Sequence, residues 1–250
     1  MSLIGQGLSV GFPKIQSCKN QIDRFRTKFG MTNFKKLCAF TLSELLLSLT
    51  IVGVIAVITV PVIVGNIQKQ IFATKLKNTV TMIEQVAQQE LIRHHTRDLR
   101  NTDFGNPEQL LTSKHFNILK SCSYNDARKI CWKNSGKDKI IYMRLNNKST
   151  TISDQDTVIL NNGVILGYRL VSGYDDRILG AFSIDLNGHV KPNIFGRDVF
   201  VFYITPKGQL VDRGYAMNAH VSLHNKIYYC TALVDYCYGA IVDNNWKMDY

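Results

Sequence analysis

Phe40 to Val64 reads FTLSELLLSLTIVGVIAVITVPVIV, and the rest of the chain is organised around it. No charged side chain occurs between Glu44 and Lys69, so the apolar run is long enough to cross a bilayer as one helix. Lys35 and Lys36 stand just before it. Residues 1–39 carry seven Lys or Arg against the single acid Asp23, which by the positive-inside rule keeps them cytoplasmic and places everything after Val64 outside. A cleaved secretory signal is disfavoured because no small-residue cleavage site closes the run at a short length. A lipoprotein signal is disfavoured because Leu37-Cys38-Ala39 precedes the apolar run instead of following it. What sets the segment apart is Glu44, an ionisable group at the start of the run, where such a group is costly and marks a functional position. The plainer reading is a signal anchor whose Glu44 lies at headgroup level.

These residues carry a resemblance. Phe40-Thr41-Leu42-Ser43-Glu44, followed by an apolar helix carrying Gly53 and Pro61, resembles the processing and assembly segment of type IV pilins and type II secretion pseudopilins over about thirty positions. The resemblance implies that a prepilin peptidase cuts the Ala39–Phe40 bond and methylates the new amine of Phe40. Glu44 would then be the acid five residues into the mature chain, and Pro61 the helix-kinking proline. One residue departs from the pattern, because Ala39 stands where the family usually has glycine. Alanine is the nearest substitute in size, so slower cutting is expected. The implied fold is α+β, the pilin fold: a long N-terminal helix, half membrane-spanning and half amphipathic, packed on an antiparallel sheet head with disulfide-stapled loops. The corresponding organisation is a leader over 1–39, an assembly helix over 40–64, its amphipathic continuation over 65–99 and a globular extracytoplasmic head over 100–250. Implied partners are other pilin or pseudopilin subunits, an inner-membrane assembly platform and its ATPase.

The chain has 250 residues and a net charge of +11, of which the leader holds +6 and the remainder +5. A positive exported part permits contact with the phosphates of DNA without demonstrating it. The leader is long for this family, and a start at Met31 would give MTNFKKLCA, a nine-residue leader of the usual character. Of six cysteines, Cys18 and Cys38 fall in the leader, leaving Cys122, Cys131, Cys230 and Cys237 in the exported part. An even number in an oxidising compartment reads as disulfides, and the short spacings favour Cys122–Cys131 and Cys230–Cys237. Zinc is the competing reading, against which stands the lack of CxxC spacing.

Beyond Pro61, a Gly65-Asn66 step leads to Ile67, Ile71, Leu76, Val80, Ile83, Ala87 and Leu91, the stripe of an amphipathic helix continuing to about Arg97. Pro61 is expected to bend it, since proline removes one backbone bond and crowds the preceding turn. Asn101 to Pro107 is turn-rich, and a short helix is expected over 107–119, then a loop through Cys122 and Cys131. Strands are expected over 139–145, 157–160, 164–170, 181–186 and 199–204, with Asn161-Asn162-Gly163 and Pro206-Lys207-Gly208 as turns, giving a sheet of four or five strands.

Between the last two of these strands, IDLNGHVKPNIFGRDVFVF over 184–202 crowds turn-forming and polar residues together. Asp185, Asn187, Asn193 and Asp198 offer the hard oxygens that calcium takes, although Gly188 stands too early for an EF-hand. The alternative is a loop whose Asp and Asn side chains bond their own backbone. His94 and His95 read as solvated residues pointing apart on a helix; His220 and His224 could share a helical face as metal ligands, against which stands the lack of a nearby carboxylate or thiolate pattern. Tyr228, Tyr229, Tyr236, Tyr238, Trp246 and Tyr250 read as core or subunit contacts. No Ser-His-Asp spacing, phosphate loop or redox CxxC is present, so the chain reads as non-enzymatic. The expectation is a filament subunit; the reading from another class is a membrane-anchored binding or sensory domain that never polymerises.

Overall fold

The computed structural model of the chain describes residues 41–250 apart from Asp138 and Asp175. The leader and the Ala39–Phe40 bond lie outside the described residues. The chain divides into two compact units, one ending at Val52 and the other beginning at Gly53. Helix α1 is assigned over Leu42–Arg93 with Pro61 inside it. Its apolar part is rich in Ile, Val and Thr, which are mediocre helix formers in water. In lipid the backbone has no solvent partner, and a helix is the form in which one segment satisfies its own N–H and C=O groups. The hydroxyls follow the same logic. Ser48, Thr50 and Thr59 donate back to the carbonyls of Leu45, Leu47 and Ile55 at 2.9, 2.7 and 3.0 Å, leaving the outside of the run apolar.

In the second unit the sheet-facing stripe of α1 comprises Ala73, Leu76, Thr79, Val80, Ile83, Val86, Ala87 and Glu90. Ile67 and Ile71 are about half exposed, so packing begins one to two turns later than the expected stripe, with Phe72 and Ala73. After α1 come α2 (Pro107–Leu110), β1 (Ile118–Cys122), α3 (Ala127–Ile130), β2 (Tyr142–Met143), β3 (Ser149–Thr150), β4 (Asp156–Leu160) and β5 (Ile165–Leu170). They are followed by β6 (Gly180–Asp185), β7 (Val199–Ile204), β8 (Leu210–Val211), α4 (Arg213–Ala216), α5 (Leu223–Cys230) and α6 (Cys237–Asp243). Among the described residues the main sheet has six strands in the order β1-β4-β5-β6-β7-β8, every neighbouring pair antiparallel. β2 and β3 form a separate two-stranded ribbon.

The architecture is therefore α+β, with a long apolar N-terminal helix, an antiparallel sheet and two disulfides. Several local expectations are corrected. The expected helix over 107–119 stops at Leu110, and Ile118–Cys122 is instead the edge strand β1. Of the expected strand over 139–145 only Tyr142 and Met143 pair, because Tyr142 turns its ring into the core and leaves Ile141 exposed. The sheet accordingly has six strands, where four or five were expected. His220 precedes α5 while His224 lies within it, so the two do not share a helical face.

β6 and β7, each flanked by a strand on both sides, alternate between two apolar layers. Phe182, Ile184, Phe200, Phe202 and Ile204 face the main core, which contains Leu76, Val80 and Ile83 of α1. On the opposite face, Val199 meets Trp132, Tyr142 and Phe195, while Ala181 and Tyr203 meet Ile178 and Ala216. Buried on both sides, these strands read as near-continuous apolar runs.

Candidate assembly helix and the Asp185 to Asp198 loop

Two places carry the sequence expectations. The first is the start of α1. Thr41 is its N-cap, and Glu44 stands three residues on: the Glu44 N–H donates to Thr41 Oγ1 at 3.3 Å, and the Thr41 N–H donates to Glu44 Oε2 at 2.9 Å. The Thr41 hydroxyl also donates to Oε2 at 2.9 Å. This is a capping box, in which two backbone donors that a helix start leaves orphaned are satisfied reciprocally. Glu44 thus closes its own helix, through one oxygen. Almost every side chain from Leu42 to Val64 is exposed. Among the described residues this is the one helix long and apolar enough to cross a membrane, and none of its apolar window is buried within the chain. Among the described residues, a Cβ placed on Gly53 would meet no atom outside its own helix backbone within 4 Å, so no contact there calls for a glycine.

The second place is the loop between β6 and β7. Asp185 and Asp198, both fully buried, close its two ends. Asp198 accepts the N–H groups of Asn193 and Ile194, each at 2.7 Å, one on each oxygen. Asp185 accepts the Asn187 N–H at 3.2 Å and the Tyr142 hydroxyl at 3.2 Å. Asn187 donates its amide to the carbonyls of Val190 and Lys191. With its amide turned so that donors face acceptors, Asn193 donates to the carbonyls of Gly188 and Val190. All four expected calcium ligands are therefore gathered in one turn, and each also bonds backbone there. The turn occupies itself in the way Asp and Asn side chains commonly do.

The electrostatics of this loop are unfavourable for two ionised acids. Burial pushes the Asp185 carboxyl well above the usual carboxylate range, and the nearby Asp198 pushes it further, while the N–H of Asn187 and the Tyr142 hydroxyl act against the rise. Burial raises Asp198 as well, opposed by the N–H groups of Ile194 and Asn193. Tyr142 is raised chiefly by burial and then by Asp185.

Both disulfides end at this loop. Cys122–Cys131 and Cys230–Cys237 are bridged in the pairing the short spacings favour. The first staples the segment carrying Trp132, and His189 of the loop lies 2.7 Å from the Cys131 carbonyl through Nε2. Trp132 donates its ring N–H to Thr157 Oγ1 of β4 at 2.9 Å. The second covers Gly196, whose φ is +88° and where a Cβ would lie 2.9 Å from Cys230 Sγ and 3.0 Å from Cys237 Sγ. Tyr250 donates its hydroxyl to the Gly196 carbonyl at 2.9 Å, and β2 joins through Met143 N–H to the Asn193 carbonyl at 3.0 Å. The loop is thus where the ribbon, both disulfides and the C-terminus meet.

One cluster escapes sequence reasoning. Glu90, His94, Asp103 and His115 converge at the C-terminal end of α1, with His115 Nε2 2.8 Å from Asp103 Oδ2. His94 is exposed, as expected, and its Nε2 also lies 3.4 Å from Glu90 Oε2. The legible signal was weak, an acid in the buried stripe of the helix followed by RHH; Asp103 and His115 arrive through chain turns that no local pattern announces. Comparison of the chain with protein-family models, with curated proteins and with solved structures finds no match.

Proposed function

We propose that this chain is a prepilin-type structural subunit, cut before Phe40, N-methylated there, and polymerised through α1 into a type II secretion pseudopilus or a type IV pilus. In this reading the pilin-like layout is the pilin fold. The leader is cytoplasmic, the helix crosses the inner membrane once, and the head is periplasmic, or extracellular after assembly. The peptidase, the assembly platform and its ATPase act on the chain, which performs no catalysis itself. One observation carries the proposal: an apolar helix that nothing covers among the described residues begins with a single carboxylate held in a defined position by Thr41.

The mechanism follows from where that carboxylate sits. The capping bonds use Oε2 and keep the side chain folded against the helix start. When helices pack side by side in a filament, the ammonium of an incoming Phe40 meets Glu44 of a neighbour in a low-dielectric setting. There the pair attracts strongly, and each charge is expensive if left alone. Burial of the apolar surface drives association without fixing register; the charge pair selects the register.

A membrane-anchored head that never polymerises is favoured by one fact, namely that Glu44 is already satisfied by its own helix. Glu44→Gln separates the two readings, because glutamine completes a capping box as well as glutamate does but has no charge for an ammonium. The filament reading expects Glu44→Gln to insert normally and to be lost from sedimentable filaments. Wild-type amounts of filament from that variant would remove the charge-pair mechanism.

A further inference from the structure

The cluster at the end of α1 has the composition of a metal centre. Glu90 and His94 come from the last turn of the helix and the residue beyond it, Asp103 from the first connection, and His115 from the segment leading to β1. Glu90 is 1% exposed and the His115 side chain 5%. Ligand atoms of Glu90, Asp103 and His115 all lie within 4.8 Å of one another. His94 Nε2 lies beside this trio, 3.4 Å from Glu90 Oε2 and 3.9 Å from Asp103 Oδ1. His115 Nε2 lies 2.8 Å from Asp103 Oδ2, and its Nδ1 is 3.8 Å from Glu90 Oε1.

A tetrahedral ion sets the separation that such a cluster has to reach. Zinc holds imidazole nitrogen and carboxylate oxygen at about 2.0–2.2 Å in a tetrahedron, whose edges are then about 3.4 Å. With one ligand atom taken from each, Glu90, Asp103 and His115 lie within 4.8 Å of one another, a spread that small side-chain rotations close to that edge, and His94 Nε2 stands beside them, 3.4 Å from Glu90 Oε2. We propose that Glu90, His94, Asp103 and His115 bind one tetrahedral divalent transition ion, zinc in character, which ties the end of α1 to the segments carrying Asp103 and His115. Two nitrogens and two oxygens form a donor set suited to that class and poor for calcium or magnesium, which take oxygen alone.

Charge balance supports the exchange. Two carboxylates are faced by two cations: Arg93, paired with Glu90 and 3.0 Å from Asp103 Oδ2, and Lys114, 3.2 Å from the same oxygen. Both cationic side chains are on the surface, 37% and 55% exposed. One divalent ion carries the charge of both, so Arg93 and Lys114 can turn to solvent while the buried carboxylates stay neutralised. The backbone already orients one ligand, since the Asp103 N–H donates to Glu90 Oε2 at 3.2 Å. Outer hydrogen bonds of this kind fix ligand geometry at metal sites.

The test uses the full chain in detergent, with Cys18 and Cys38 replaced by serine so that leader thiols take no metal. It is titrated with cobalt(II), whose visible absorption reports tetrahedral coordination, and then with zinc as competitor. The proposal expects one cobalt per chain, displaced by zinc, and an affinity lowered by about tenfold or more in His94→Ala and Asp103→Asn. His94 is partly exposed, so its replacement leaves the fold intact, and circular dichroism checks this. Arg93→Ala should bind metal more tightly, because a competing cation is gone. If the cluster is only an ion-pair clasp, no tetrahedral cobalt spectrum develops. That result overturns the proposal, as does an affinity unchanged in His94→Ala or not increased in Arg93→Ala.

Discussion

Thr41 and Glu44 cap each other at the start of α1: each donates its backbone N–H to the other's side chain, at 2.9 and 3.3 Å. The carboxylate whose position in the sequence points to filament assembly therefore has a second, local duty, and substitutions there act through both. Thr41→Val removes the cap and leaves the charge. It should cost about 1 kcal/mol of helix-start stability, read as increased amide exchange over the first turn, with filament yield reduced only modestly. Glu44→Gln should do the reverse, and Glu44→Ala should show both losses. A Thr41→Val variant as deficient in assembly as Glu44→Gln would mean that helix-start geometry, and not charge, is what assembly requires.

The pH dependence of the head should be set by Asp185 and Asp198. Their carboxyls are raised in the fold, so the native state holds protons there more tightly than the unfolded chain does. The stabilising contribution is complete below the unfolded value of about 3.9, and is lost as pH rises through the raised native values. The thermal midpoint of the head should accordingly fall as pH climbs out of the usual carboxylate range, and Asp185→Asn should flatten that fall. The same titration in millimolar calcium separates the two readings of the loop. If calcium abolishes the decline, the ion belongs between these acids; an unchanged decline leaves the loop held by its own backbone bonds.

Gly196 is required by conformation and by contact together. With φ at +88° and the Cys230–Cys237 sulfurs about 3 Å from where a Cβ would be, Gly196→Ala should destabilise the head by about 1–3 kcal/mol. Denaturant unfolding of the variant measures this. Loss greater than the reduction of Cys230–Cys237 itself would show that the loop, rather than the staple, is the more important support.

Reduction of the disulfides should be graded. Each closes a short loop, and removing each should cost about 2–3 kcal/mol through the freedom returned to the unfolded chain. Cys122→Ser/Cys131→Ser should in addition loosen Trp132, which is held between the staple and Thr157. Trp132 and Trp246 are the two tryptophans of the chain. A red shift in emission specific to the first double variant, and absent from Cys230→Ser/Cys237→Ser, is the expected sign.

What was legible in the sequence was legible because it is local. The uncharged run from Leu45 to Gln68, the strands around Asn161-Asn162-Gly163 and the short cysteine spacings each announce themselves within one continuous stretch of sequence. The errors arise where tertiary packing decides. Tyr142 is drawn into a small core beside Trp132 and Phe195, so KIIYMRL yields two paired residues in place of a full strand. Ile118–Cys122 pairs with β4 although Leu119, Lys120 and Ser121 are exposed, giving an edge strand without an alternating pattern to mark it. The Glu90, His94, Asp103 and His115 cluster depends on three chain segments meeting, which no periodicity encodes. The loop between β6 and β7 stood out by composition, but its place as the meeting point of both disulfides and Tyr250 is visible only in three dimensions.

The central claim is that α1 is an assembly helix freed by cleavage. Its most direct test is the intact mass and N-terminal residue of protein taken from membranes of cells with and without a prepilin peptidase. The account predicts a peptidase-dependent product beginning at methylated Phe40, with the leader retained when the peptidase is absent. An uncut chain in both backgrounds would contradict it and leave Phe40 to Val64 as a plain anchor for the head.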